Sequence, residues 1–167
     1  MRIDPKSNTK SLDIWALPMF PDKSGDQKPF PVVATNFVDF TPSFSPDGKW
    51  LAYANDETGR QEVYIQPFPT GSGRWQVSTA GGVGPKWRKD GKELFFWSTD
   101  QQMMAVDVSQ KGTSLQLGTP HALFKAANVS GYTVSADGKK FVMNTVLPQS
   151  INEPLTLITN WPADLKQ

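Results

Sequence analysis

Apolar and polar residues alternate along this chain in short runs rather than along helical faces. Within 41–82, four β-type runs, 42–45, 50–54, 62–67 and 75–78, are separated by Pro46-Asp47-Gly48, by 55–59 and by 70–73. Leu51 and Tyr53, then Val63 and Ile65, stand two positions apart, which is the period of a strand. Asp47-Gly48 falls where a tight hairpin needs a positive φ, and glycine supplies one without steric cost. The pattern predicts an antiparallel meander of four strands. No segment sustains a 3.6-residue period, and 163–166 offers a single helical turn at most.

The meander repeats. Ser45-Pro46-Asp47-Gly48, Arg88-Lys89-Asp90-Gly91 and Ser135-Ala136-Asp137-Gly138 share a turn, with 43 residues from Asp47 to Asp90 and 47 from Asp90 to Asp137. Four-stranded propeller blades recur every ~40 to 45 residues, so the spacing predicts a blade array. Each turn is preceded by a strand-like segment (42–45, 85–88, 132–135) and followed by lysine and an apolar run (49–53, 92–96, 139–143). A further strand follows each pair, at 62–66, 102–108 and 154–161. Asp13-Ile14-Trp15-Ala16-Leu17-Pro18 matches Glu62-Val63-Tyr64-Ile65-Gln66-Pro67 position for position, and 30–34 matches 75–78. The expected order is therefore an outer half-blade (10–36), a full blade (41–82), a second full blade (83–126) and a three-stranded last blade (129–161), followed by a short tail (162–167).

The segment FSPDGKWLAY at 44–53 resembles the TolB-like, WD-repeat-like β-propeller repeat. The ordered series DIWALPM, YIQPFP, WQVSTAGG, PKWRKDGKELFF, VSADGKKFVMNT and NWPADLK is similar to the C-terminal propeller end of bacterial serine/threonine protein kinases. The resemblance spans nearly the whole chain. It implies an all-β fold, a partial β-propeller of four-stranded antiparallel blades with about three blades per chain, where such propellers have six or more. It also implies a sensor or scaffold role in which rim and channel recognise proteins or small ligands, and a periplasmic or other extracytoplasmic setting. The chain departs from the kinase pattern because it holds no glycine-rich phosphate loop, no His-Arg-Asp loop and no Asp-Phe-Gly.

Three blades do not close a ring. Unpaired strand edges are expected near 13–17 and 154–160, which is an aggregation risk. Two arrangements satisfy them: a homodimer of about six blades in which each copy lends its half-blade to the other, or a longer parent of which this chain is a fragment.

Composition narrows the chemistry. Seventeen basic and sixteen acidic residues leave a formal charge of +1, and Arg88-Lys89 and Lys139-Lys140 are the adjacent basic pairs, so nothing favours nucleic acid as a partner. The absence of cysteine removes disulfide, zinc-thiolate and thiol-nucleophile chemistry. No run approaches the ~20 apolar residues of a membrane span, and no signal peptide is read at the start, MRIDPKSNTK. No cofactor and no metal are expected. Asp47, Asp90 and Asp137 sit in equivalent turns, where bonding the turn backbone explains them better than metal ligation, and no Asp-x-Asp-x-Asp-Gly calcium loop occurs.

His121 is the only histidine, so any Ser-His-Asp catalysis must use it, although no Gly-x-Ser-x-Gly elbow accompanies it. Six tryptophans suit the wedges between blades, and an exposed one can stack on a ligand. Trp87 and Arg88, at the end of an inner strand, with Tyr132 one blade later, are the expected ligand-binding residues at the axis. Three functions stay open: a non-catalytic binding or protein-interaction module, a hydrolase using His121 with a nearby serine, and a self-assembling structural block. The partners to expect are a second copy, other proteins, or a small ligand at the axis.

Overall fold

The computed structural model describes residues 12–19, 28–112 and 114–145. These form strands only. β1 (Ile14–Ala16) and β2 (Phe30–Val33) make an antiparallel pair. β3 (Asp39–Phe44), β4 (Trp50–Asn55), β5 (Glu62–Pro67) and β6 (Trp75–Gln76) make a four-stranded meander in sequence order. β7 (Val83–Trp87), β8 (Glu93–Trp97) and β9 (Gln102–Lys111) continue into β10 (Ser114–Leu117) and β11 (His121–Lys125), both of which pair with β9. β12 (Val129–Val134) and β13 (Phe141–Thr145) pair last. The chain is thus an all-β partial propeller. The expected strand at 154–161, the tail at 162–167 and most of the 20–29 connection lie outside the described residues.

Each sheet stacks on the next through alternating side chains. Leu51, Tyr53 and Tyr64 meet Ile14 and Val33 of the first pair. From the other face of the same sheet, Trp50, Ala52, Val63 and Ile65 meet Leu94, Phe96 and Val106. Phe95, Met103 and Ala105 then turn away toward Tyr132, Phe141 and Met143. The period-two pattern in β4 would ordinarily mark one wet and one dry face, yet every residue of β4 is buried. Both faces are covered, so alternation sorts residues between two neighbours rather than between core and water. Each large side chain buried this way contributes roughly 1.5–3 kcal/mol.

A repeated backbone hydrogen bond ties each sheet to the one before it. Asp39 N donates to Leu12 O (2.7 Å), Gly82 N to Gln61 O (2.8 Å) and Ala126 N to Gln101 O (3.2 Å). In every case the donor sits at the entry to an innermost strand and the acceptor just before a third strand. Leu12 precedes β1 as Gln61 precedes β5, so β1 and β2 occupy the places of third and fourth strands of a blade.

The recurring turn is held by its own side chains. Ser45 Oγ donates to Asp47 Oδ1 at 2.6 Å and accepts from Trp50 N at 3.0 Å, while Lys49 N donates to Asp47 Oδ1 at 3.1 Å. Ser135, Asp137, Lys139 and Lys140 repeat this at 2.6, 3.0 and 2.9 Å. Gly48 and Gly138 take φ of 69° and 75°, the left-handed conformation such a turn requires. A related Ser-x-Asp turn joins β8 to β9, where Ser98 Oγ bonds Asp100 and Gln101 adopts φ 63°.

The outer strand of the second full blade is broken. β10 runs to Leu117 opposite Val108, and β11 resumes at His121 opposite Ala105. Gly118 lies against Asp107, where a Cβ would come within 3.2 Å of the aspartate Cβ, and Pro120 has no N–H to offer a ladder.

The stack predicts where truncation hurts. Ile65→Ala and Leu94→Ala, each at a wholly buried position, should cost about 2–5 kcal/mol in urea denaturation. Val142→Ala, on the bare face of β13, should change stability by less than about 0.5 kcal/mol.

Candidate functional site

The three innermost strands lose their regular pairing at one level. Register breaks fall between Phe40 and Ser43 in β3, between Val83 and Lys86 in β7, and between Val129 and Gly131 in β12. Thr41 (φ 51°) and Gly84 (φ 62°) occupy matching places, each followed by a proline that cannot donate to the ladder. Backbone groups freed there turn to side chains of the neighbouring blade. Gly84 N donates to Thr41 Oγ1 at 3.3 Å, and Tyr132 Oη donates to Gly84 O at 2.7 Å. One thread of hydrogen bonds therefore crosses three blades at their inner rim.

Phe40, Thr41, Gly84, Lys86, Trp97 and Tyr132 line a cavity of about 360 Å³ around this thread. That volume suits a side chain or a small ring system. Burial alone pushes the Tyr132 phenol well up, so it stays a neutral donor. Lys86 is exposed and brings a cation to the mouth.

The expected ligand residues separate. Tyr132 belongs to the axial cavity. Trp87 turns to a different cleft between the two turns, with its indole Nε1 donating to Ser43 O at 3.2 Å. Arg88 is spent on its own turn: Nε and Nη2 reach Asp90 at 2.8 and 2.9 Å, and Nη1 reaches Glu93 at 2.6 Å. Its stem also covers Gly138, where a Cβ would stand 2.8 Å from Arg88 Cδ. The middle turn has no serine, and this guanidinium replaces the serine hydroxyl as the donor to aspartate. Thr41, Gly84, Lys86 and Trp97 were not singled out from sequence. The signal was present in the pairs Thr41-Pro42 and Gly84-Pro85, 43 residues apart.

His121 is exposed at the start of β11, opposite Ala105, and makes no hydrogen bond to a serine among the described residues. Asp47, Asp90 and Asp137 are each engaged by their own turns, as described above. The buried carboxylates are equally occupied. Glu62 accepts from Arg60 Nε at 2.6 Å, from Gly81 N at 3.0 and 3.1 Å, and from Ser78 Oγ. Asp39 accepts from Thr35 Oγ1 at 2.8 Å and from Asn55 Nδ2 at 2.7 Å. These acids hold strand ends together through several donors each.

The turn aspartates predict an acid limit to stability. Arg88, followed by the Lys92 amide, lowers Asp90 from 3.8 to about 2, and the serine hydroxyls lower Asp47 and Asp137. A depressed carboxylate contributes stability that is complete above its unfolded value and lost as pH falls through its folded one. For Asp90 that window runs from 3.8 down to about 2. Asp90→Asn should therefore flatten the acid limb of the denaturation midpoint against pH. An unaltered limb would show that Asp90 does not set it.

No protein-family model matches the chain, and no curated protein does. Among solved structures, it is similar to TolB from Acinetobacter baumannii at 23% identity, over 70% of this chain and 40% of that one, with a TM-score of 0.46. Oligogalacturonate lyase from Vibrio parahaemolyticus is similar at 18% identity, over 76% and 35%, with a TM-score of 0.49. The β-propeller domain of the trilobed protease from Pyrococcus furiosus, which has an open velcro topology, is similar at 12% identity, over 73% and 59%, with a TM-score of 0.32. The chain spans from 35% to 59% of the length of these structures.

Proposed function

We propose that this chain is a non-catalytic, protein-binding propeller segment of TolB-like type, with a sensor or scaffold role, that receives its partner at the inner rim. The observation that carries this reading is the set of three matched register breaks, which line a cavity with Trp97, Tyr132 and the exposed Lys86. Aromatic anchors beside a cation suit an acidic or aromatic protein segment. A setting outside the cytoplasm belongs to the same proposal, because the family resemblance implies it. The hydrolase reading draws no support from His121, which is exposed and makes no hydrogen bond to a serine among the described residues.

A photo-crosslinker placed at position 86 should trap a defined partner from a lysate of the source organism. Lys86→Glu should cut binding of that purified partner by at least about tenfold, equivalent to about 1.4 kcal/mol, while Lys139→Glu leaves it unchanged. Equal binding by both variants would overturn the rim assignment.

Self-association is a second reading, favoured by the bare apolar faces at the two ends of the stack. Leu17 and Met19 are 54% and 71% exposed at one end, and Val142 is 68% exposed at the other. Light scattering across a dilution series should report a concentration-independent dimer if a second copy covers these faces. A monomer throughout would remove this reading and leave the rim assignment untouched.

A further inference from the structure

The two end sheets of the chain are complementary halves of one blade. β1 and β2 stand in the places of third and fourth strands, while β12 and β13 carry the first two strands with their Ser-x-Asp-Gly turn. Among the described residues β1 pairs with β2 alone and β13 with β12 alone, so each half keeps an open edge. Within one chain the halves sit at opposite ends of the stack, and three blades do not close a ring. We propose that β13 of one copy pairs antiparallel with β1 of a second copy, which builds the four-stranded blade β12-β13-β1-β2 across two chains at each of two equivalent junctions. This junction is a specific form of the self-association above, on which it rests.

The repeat says what each bare surface lacks. Trp87 and Leu94 of the second full blade lean on the first: Leu94 shares a core with Trp50 and Ala52, and Trp87 Nε1 donates to Ser43 O at 3.2 Å. Phe44 and Leu51 hold the same repeat positions one blade earlier, where no first or second strand precedes them among the described residues. Phe44 is 52% exposed there, beside an apolar slot of about 510 Å³ that it lines with Leu17, Phe30, Pro42, Leu51 and Phe68. At the other end Val142 is bare, although Ala52 at its repeat position is wholly buried. In the joined blade the face of β13 that carries Val142 turns toward this slot, and each apolar surface covers the other.

β4 and β5 supply the register, since Leu51 stands opposite Gln66, Ala52 opposite Ile65 and Tyr53 opposite Tyr64. Carried over by repeat position, Phe141 stands opposite Leu17, Val142 opposite Ala16 and Met143 opposite Trp15 of the second copy. Residues 154–161 of the same chain compete for the edge of β13. Asp13 and Pro18 stand five residues apart as Glu62 and Pro67 do, and no acid and proline frame 154–161 at that spacing, which favours β1. The junction opens whenever the copies part, so β1, β12 and β13 still exchange amide hydrogens sooner than β4.

The chain has no cysteine, so introduced cysteines report the contact without background. Ala16→Cys and Val142→Cys chains, refolded together and treated with a short bifunctional thiol reagent, should yield a linked dimer. Either variant alone should yield none, because two copies of one position lie at different junctions. Val142→Asp, solvated in the single chain, should leave strand content by circular dichroism unchanged and raise the concentration at which the dimer dissociates at least about tenfold. A dimer by light scattering with no link in the mixture would overturn this junction and leave self-association standing. A monomer would overturn both. Linking in either variant alone, a link within one chain that carries both cysteines, or an unmoved dissociation in Val142→Asp would each overturn the junction as well.

Discussion

The inner sheets of this chain are thin, with two apolar faces, and neighbours on either side cover both. That constraint explains the burial of all six residues of β4, where neighbours press from either side. It also explains why Leu94 and Phe96 face one way while Phe95 faces the other, each finding a different core. Cover falls off outward within a sheet, where all five residues of β11 are exposed, and toward the end of the stack, where β13 has one bare side. Cooperativity in such an array passes from neighbour to neighbour, so the middle sheets hold the ends.

Turn chemistry and linking bonds set the spacing that makes this stacking possible. The Ser-x-Asp-Gly turn satisfies its own backbone with its own side chains, which leaves the strands on either side free to face their neighbours. Arg88 shows that the function of the turn outlasts its residues, because a guanidinium supplies the donors that serine supplies elsewhere and still covers the next glycine. The backbone bonds from Asp39, Gly82 and Ala126 to the preceding sheet fix where each inner strand begins. Register breaks at one level of those inner strands then follow as a shared feature, and the rim cavity is their product.

Much of this was legible beforehand. The turn repeat fixes the blade period, and the likeness of 13–18 to 62–67 places the first strand pair. Trp50, Trp75 and Trp87 fall between sheets, as wedge-filling aromatics should. Alternation misleads only about solvent, since two dry faces and one dry face share a period. The sites were less legible. Trp87, Arg88 and Tyr132 are neighbours in repeat position, yet one faces a cleft, one is consumed by ion pairs and one reaches the rim, because side-chain direction at a strand end depends on register breaks that no single residue announces. Thr41 and Gly84 act through backbone conformation rather than side-chain chemistry, so a search for reactive residues passes over them.

Native-state hydrogen exchange tests the stack most directly. Amides of β4, β5 and β8 should exchange at least about a hundredfold more slowly than those of β12 and β13, with β1 also fast, as expected for an array held from its middle. Equal protection of β12, β13 and β4, or fast exchange throughout β4, would contradict an arrangement in which cover on both faces is what stabilises a blade.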